Sequence, residues 1–140
     1  MILLDTNVVS GPLEPRPDPT AIRWLDAQSR DDLYLPAIVA AELHYGWSIL
    51  PAGKRRRIQS DLVHRIIEQF EGRIVDFDLK AAVQFGRIMA AARAAGTPLP
   101  LVDGQIAAIA SAHAAGVATR NVKHFALAGV AVLDPWGGEL

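Results

Sequence analysis

The chain begins with a short apolar run that stops at a carboxylate, in the order Met1-Ile2-Leu3-Leu4-Asp5. The run has no helical periodicity, and consecutive apolar residues of this length are typical of a strand buried on both faces of a parallel sheet. Open α/β sheets bind their ligands at the carboxyl ends of the strands. A carboxylate at that place is costly to bury unless a cation or hydrogen-bond donors face it. The start of the chain therefore predicts a parallel α/β sheet with an acidic metal site at the end of its first strand.

Apolar periodicity and turn residues divide the rest of the chain into alternating helices and strands. The predicted helices cover residues 19–30, 36–50, 54–71, 79–95 and 102–115, the last one closed by Gly116, with a further helical turn near 123–125. The predicted strands cover residues 33–35, 73–77, 117–119 and 130–133, and the proline-rich stretch 11–19 is expected to lack regular structure. Strands joined by helices of this length pair in parallel through right-handed crossovers. We expect one domain over residues 1–140, with a three-layer α/β/α fold around a mainly parallel sheet whose strand order the sequence does not reveal.

Composition narrows the functional classes. The formal net charge is −1, so a nucleic-acid partner is not announced by bulk charge and any basic surface must be local. The absence of cysteine rules out disulfides and thiolate metal sites, and it agrees with a reducing cytoplasm. No signal peptide is expected, because no basic region precedes the short apolar run. No apolar stretch approaches the roughly 20 residues that a membrane span needs.

Three carboxylates stand in apolar surroundings where ordinary surface acids do not occur: Asp5, Glu42 and Asp103. Each has a structural explanation of its own. Asp5 can cap a loop, Glu42 can pair with a buried arginine, and Asp103 considered alone is better explained as a helix N-cap. Together they are harder to explain in this way, because carboxylates that converge in one cleft repel one another and stay protonated without a cation. We therefore expect the three to share a site.

The chemistry of such a site follows from its ligands. Mg²⁺ and Mn²⁺ prefer oxygen ligands, whereas the lack of cysteine and of paired histidines argues against zinc. One or two such ions can polarise a phosphate, activate water and stabilise a leaving oxygen, which is phosphodiester hydrolysis. Neither a Walker lysine motif nor a dinucleotide-binding glycine motif occurs in the sequence. The sequence thus favours a metal-dependent hydrolase over a nucleotide-cofactor enzyme.

Four segments, in this order along the chain, resemble the motifs of the PIN-domain ribonucleases: Leu4-Asp5-Thr6-Asn7, Ala41-Glu42-Leu43, Val102-Asp103-Gly104-Gln105-Ile106-Ala107-Ala108 and Thr119-Arg120-Asn121-Val122-Lys123-His124-Phe125. Within that family the chain is most similar to the VapC and FitB-type toxins of bacterial toxin–antitoxin pairs. The resemblance covers the whole chain. It implies a Mg²⁺- or Mn²⁺-dependent endoribonuclease, the toxin of a type II pair, that forms a homodimer. It also implies a small VapB-like antitoxin whose C-terminal segment blocks the site.

The resemblance also implies roles for individual residues. Asp5, Glu42 and Asp103 become the metal-binding and catalytic acids. Thr6 and Asn121 organise them through hydrogen bonds, and Thr119 lies beside the site. Many family members have a fourth acid at the position that His124 occupies here, so the resemblance leaves the second metal open. His124 can bind a phosphate or a metal, but packing at a helix end is the preferred interpretation.

Several other features have both a functional and a structural interpretation. The basic run Lys54-Arg55-Arg56-Arg57 either steers RNA towards the acidic cleft or is a solvated first helical turn. Gly46 lies inside a predicted helix, where glycine costs about 1 kcal/mol, so close packing or a partner's approach is expected there. The remaining histidines lack partners at ligand spacing and are expected to be structural: His44, His64 and His113.

Two rival functions remain open from the sequence. One is a catalytically weak PIN-like module that acts by binding RNA or its antitoxin, which the missing fourth acid favours. The other is a different metal-dependent phosphotransferase on an α/β fold. The target RNA, the cleavage sequence, the antitoxin and the number of metal ions are not readable from the sequence.

Overall fold

The computed structural model describes residues 1–137. Its strands are β1 (Ile2–Leu4), β2 (Leu33–Pro36), β3 (Ile74–Val75), β4 (Gly116–Ala118) and β5 (Val132–Leu133). Its helices are α1 (Thr6–Ser10), α2 (Pro19–Ala27), α3 (Ala37–Ser48), α4 (Lys54–Glu68), α5 (Leu79–Ala94), α6 (Leu101–His113) and α7 (Val122–Leu127). Short 3₁₀ helices cover Gly11–Leu13 and Arg30–Asp32.

The five strands form one parallel sheet in the order β3-β2-β1-β4-β5. The chain runs outwards from β1 to β3 and then returns to the other side of β1 with β4 and β5. The point where the strand order reverses, between β1 and β4, is where open α/β sheets leave a crevice for a ligand. Leu4 pairs with Ala118 at the carboxyl ends of these two strands, so Asp5 and Thr119 leave the sheet side by side.

The core is made of aliphatic side chains between the sheet and its helices. Leu3 on β1, Leu35 on β2 and Val117 on β4 are fully buried, as is the continuous run Ile106–Ala110 of α6. α6 packs closely on α5, because Gly104 has no side chain to hold Met89 away. The predicted α/β fold with a central parallel sheet is confirmed. None of the helices between residues 1 and 137 is long and apolar enough to cross a membrane.

The boundaries differ from prediction in several places. The helix α1 was not expected, and the 3₁₀ helix at Gly11–Leu13 shows that the proline-rich stretch is partly regular. The prediction that Gly116 closes α6 is wrong, because Ala114 takes the left-handed conformation there, with φ of 50°. Gly116 instead pairs in β4, where a Cβ atom would lie 3.0 Å from Leu133. Predicted helices end two or three residues earlier in the structure at Ala27, Ser48 and Glu68.

Candidate active site

Asp5 is the N-cap of α1 and lies directly after the central strand β1. Its side chain is 3% exposed. One carboxylate oxygen, Oδ1, accepts a hydrogen bond of 2.7 Å from the main-chain N–H of Thr6. The other, Oδ2, accepts 2.7 Å from the hydroxyl of Thr119 and 3.3 Å from the side-chain amide of Asn7. The strand end thus supplies the donors that a buried carboxylate requires.

The charge on Asp5 remains unfavourable in spite of these donors. Burial raises the pKa of its carboxyl above the usual value, and the hydrogen bonds from Thr119 and Thr6 lower it by less. The negative charges of Asp103 and Glu42 raise this pKa further, which means that both are near enough to be felt electrostatically. The three carboxylates that the sequence singled out therefore lie in one electrostatically coupled region.

Glu42 reaches this region from α3, where it is half-buried. Its Oε1 accepts a hydrogen bond from the hydroxyl of Thr6. Because the N–H of Thr6 bonds to Asp5, this threonine joins two of the acids through its main chain and its side chain. Within residues 1–137 no arginine forms an ion pair with Glu42. The alternative in which Glu42 pairs with a buried arginine is therefore not supported.

Asp103 comes from the first turn of α6 and is 9% exposed. The N-cap of that helix is Pro100, so the interpretation of Asp103 as a plain N-cap is wrong. The Nδ1 atom of His124, on α7, lies 2.6 Å from Oδ2 of Asp103 and donates to it. His124 therefore contacts the acidic site and is not simply packed at a helix end.

Two further polar residues complete the contacts. Thr119 is fully buried, and its hydroxyl accepts a 2.9 Å hydrogen bond from the main-chain N–H of Asn121. Asn121 thus acts on the site through its main chain, and the hydrogen bonds described for residues 1–137 include none from its side chain to an acid. Asn7 was missed as a site residue. The available signal was its place in the first motif, directly after Asp5 and Thr6.

A family model described as the PIN domain matches residues 2–130. The chain belongs to the PIN-domain family. It is 43% identical over 137 residues to the VapC ribonuclease Y4jK of Sinorhizobium fredii, covering 97% of this chain and 98% of that protein. It is 42% identical over 137 residues to Toxin FitB of Neisseria gonorrhoeae, covering 97% and 99%. A solved structure of FitAB bound to an IR36 DNA fragment has a TM-score of 0.95 and 40% identity, covering 100% of this chain and 99% of that chain. The predicted resemblance is confirmed.

The donors of this PIN domain suit a hard divalent cation. Carboxylate oxygens are the ligands that such cations prefer, and the raised pKa of Asp5 marks a negative charge that a cation would stabilise. Over residues 1–137, however, no three histidine, aspartate or glutamate side chains are grouped closely enough to form a ready-made metal site. Thr6 holds Glu42 and His124 holds Asp103, so two of the three acids are engaged by hydrogen bonds.

A groove of about 370 Å³ extends from the Glu42 side of the site between α3 and α4. Arg55, from the basic run, and Trp47 both line it. The next residue, Arg56, instead lies over the ring of Trp47, with its guanidinium carbon 5.5 Å from the ring centre. The basic run is therefore not a uniform solvated turn, because one of its members faces the groove that contains Glu42.

The other histidines of the PIN domain do not join the acidic site. His44 accepts a 3.0 Å hydrogen bond from the indole of Trp47 and packs edge-on against His64, with ring centres 5.0 Å apart. His64 bonds to the main-chain oxygen of Ser60 at 2.7 Å. Gly46 is exposed, and a Cβ atom added there would meet no other atom within 4 Å, so close packing does not explain this glycine.

Proposed function

We propose that this PIN domain is a metal-dependent endoribonuclease, the toxin of a type II toxin–antitoxin pair, and that Asp5, Glu42 and Asp103 are its catalytic acids. The observation that carries the proposal is the coupling of these acids, which three different elements bring to the carboxyl end of the sheet. The names of the relatives, a VapC ribonuclease and a FitB toxin, agree with this activity. Phosphodiester hydrolysis is the chemistry that such an acidic site supports best.

The same three acids would hold Mg²⁺ or Mn²⁺. When bound, such an ion neutralises charge on the phosphate and makes water more acidic. The remaining site residues act on the acids. Thr119 and Asn7 fix one oxygen of Asp5, leaving the carboxylate little freedom to rotate.

Thr6 and His124 hold the other two acids. The hydroxyl of Thr6 orients Glu42, and the imidazole of His124 orients Asp103. Many members of the family that this chain resembles have a fourth acid at the position of His124. We propose that the histidine provides a hydrogen-bond donor in place of that negative charge. Such partners of metal-ligating side chains typically change affinity or activity by about 10- to 100-fold.

We also propose a small VapB-like antitoxin as the partner and a homodimer as the assembly. Support comes from the FitAB structure, one chain of which is similar to this chain over its whole length. Tyr45 on α3 and Ile49, the C-cap of α3, are 68% and 63% exposed and adjoin in sequence Gly46 and Leu50, which line the groove that contains Glu42; this suits an apolar partner segment. Leu79 and Val83 on α5 are also strongly exposed and suit contact with a second copy. Size-exclusion chromatography of the chain, alone and co-expressed with the product of the adjacent gene, tests both points.

The decisive experiment incubates the purified, antitoxin-free chain with total RNA in Mn²⁺, Mg²⁺ or EDTA. Asp5→Asn and Asp103→Asn should abolish cleavage without unfolding the protein. Asp31→Asn is the matched control, because Asp31 is an exposed aspartate in a 3₁₀ helix outside the site. Discrete metal-dependent fragments that disappear only in the two site variants establish the nuclease and reveal its target.

An RNA-binding assay and a phosphomonoester assay on the same preparations separate the rivals. Tight RNA binding without turnover in any metal would identify a binding module. Hydrolysis of phosphomonoesters without RNA cleavage would identify a phosphotransferase-like enzyme. Undiminished cleavage by a well-folded Asp5→Asn variant would show that the acids have been assigned wrongly.

A further inference from the structure

Arg120 lies next to the acidic site but takes no part in the contacts described above. It directly follows Thr119, whose hydroxyl bonds to Asp5. The main-chain N–H of Arg120 donates a 3.2 Å hydrogen bond to the side-chain oxygen of Asn7. Asn7 in turn donates to Asp5. The backbone of Arg120 is therefore tied to the buried carboxylate through one intervening side chain.

The side chain of Arg120 is held in a defined place. Its guanidinium carbon lies 4.2 Å from the ring centre of Trp136, the shortest of the three such distances in residues 1–137. Trp136 is half-buried and packs against the core, whereas Arg120 is exposed. A guanidinium that lies over an aromatic ring is held by a cation–π contact, which uses none of its hydrogen-bond donors. Trp136 thus positions the cation without occupying its hydrogen-bond donors.

Among the acids of residues 1–137, none forms an ion pair with Arg120. Throughout residues 1–137 the only ion pair is the one between His124 and Asp103. The side-chain hydrogen bonds described for this part of the chain include none from the guanidinium of Arg120. A cation on the residue that directly follows Thr119 has a use at this site, since a polyanion that approaches the acids is otherwise repelled.

We infer that Arg120, held on Trp136, binds a phosphate of the RNA backbone next to the phosphate that is cleaved. The inference rests on the proposed ribonuclease function and adds a substrate-positioning residue to it. Phosphate recognition suits arginine because its planar donors match two phosphate oxygens at once. The contact reads no base, so it affects affinity for every RNA sequence alike.

The test compares Arg120→Gln with Arg65→Gln. Arg65 is an exposed arginine of α4 outside the site, so the control removes the same charge elsewhere. The probe is a fluorescently labelled, single-stranded oligoribonucleotide of mixed sequence. Its Kd is measured by anisotropy in EDTA over a range of salt concentrations. KM and kcat are measured with the RNA that the chain cleaves, and melting temperatures check folding.

Loss of one charge-assisted contact should raise the Kd and KM of Arg120→Gln by about tenfold, with kcat within about twofold of the parent. The slope of log Kd against log salt should fall by about 0.7, which corresponds to one phosphate contact on a single strand. Trp136→Leu keeps the charge but releases the side chain, so it should weaken binding by less and leave the slope unchanged. Arg120→Lys should behave in the same way.

Three results would overturn the inference. The first is equal binding by Arg120→Gln and Arg65→Gln. The second is a fall in kcat at unchanged KM, which would mean that Arg120 acts on the acids through Asn7. The third is absence of RNA binding by the parent. Failure of the proposed function gives a different result: the parent protein would bind RNA, with normal salt dependence, but would not cleave it.

Discussion

Replacing Thr119 by valine tests whether Asp5 is held as a charged group by the end of β4. Thr119 is fully buried, and its hydroxyl lies 2.7 Å from an oxygen of Asp5. Valine has nearly the same shape but lacks the hydroxyl, so the carboxylate loses a donor that nothing replaces. Hydrogen bonds to charged groups contribute about 1.5–3 kcal/mol. The main-chain N–H of Asn121 also loses its acceptor, but Asn121 is exposed and water can take that place.

We therefore expect Thr119→Val to lower the free energy of unfolding by about 2–3 kcal/mol. For a domain of this size the melting temperature should fall by roughly 6–9 °C. Thr119→Ser is the matched control, because it keeps the hydroxyl and loses one methyl group, at a cost of about 1 kcal/mol. Urea and thermal unfolding, followed by circular dichroism at neutral pH without divalent metal, measure these differences.

A double-mutant cycle isolates the charge. In the Asp5→Asn background the hydroxyl of Thr119 faces a neutral amide, so Thr119→Val should cost about 1 kcal/mol less than in the parent. The reasoning fails if the valine variant is as stable as the serine variant. It also fails if the cost of the valine is the same in both backgrounds, since the hydroxyl would then not be acting on the carboxylate.

Three further predictions concern the neighbouring residues. Burial raises the pKa of Asp5 in the folded state, so the parent loses stability as pH rises through that pKa. Asp5→Asn should therefore gain stability relative to the parent in urea unfolding as pH rises above the ordinary aspartate pKa, and a constant difference would contradict this. His124→Ala removes the donor to Asp103 at a partly buried contact, in which the histidine side chain is 41% exposed. It should cost less than about 1 kcal/mol but lower RNA cleavage about tenfold, and full activity would refute the role. Gly104→Ala would place a Cβ atom against the sulfur of Met89, so that this flexible side chain must move. Because alanine also favours the helix by about 1 kcal/mol, the net stability loss should stay below about 2 kcal/mol, and a rise in melting temperature would exclude the clash.

The acids could be predicted from the sequence because their surroundings were informative. Asp5 ends an apolar strand, Glu42 interrupts an apolar helix, and Asp103 precedes the fully buried part of α6. In each case a charged group stands where burial makes it costly, and that conflict is visible in a single sequence. The parallel sheet was predicted for a related reason, since strands buried on both faces carry apolar runs.

The contacts that organise the acids could not be predicted in this way. His124 and Arg120 lie in a polar segment, where such residues are ordinary surface choices and produce no conflict. Their importance comes from partners distant in sequence, Asp103 for the histidine and Trp136 for the arginine. Only the order of the strands brings these groups together, and strand order is not encoded in local periodicity.

The acidic site also depends on the register between β1 and β4, the two strands that the strand order places side by side. Leu4 pairs with Ala118, and the N–H of Asp5 donates a 3.0 Å hydrogen bond to the oxygen of Ala118. A slip of one residue would turn Thr119 to the opposite side of the sheet, because successive side chains alternate between the faces. Asp5 would then lose its hydroxyl donor. The apolar side chains of the two strands, which set the register by packing into the core, therefore also determine whether the acidic site can form.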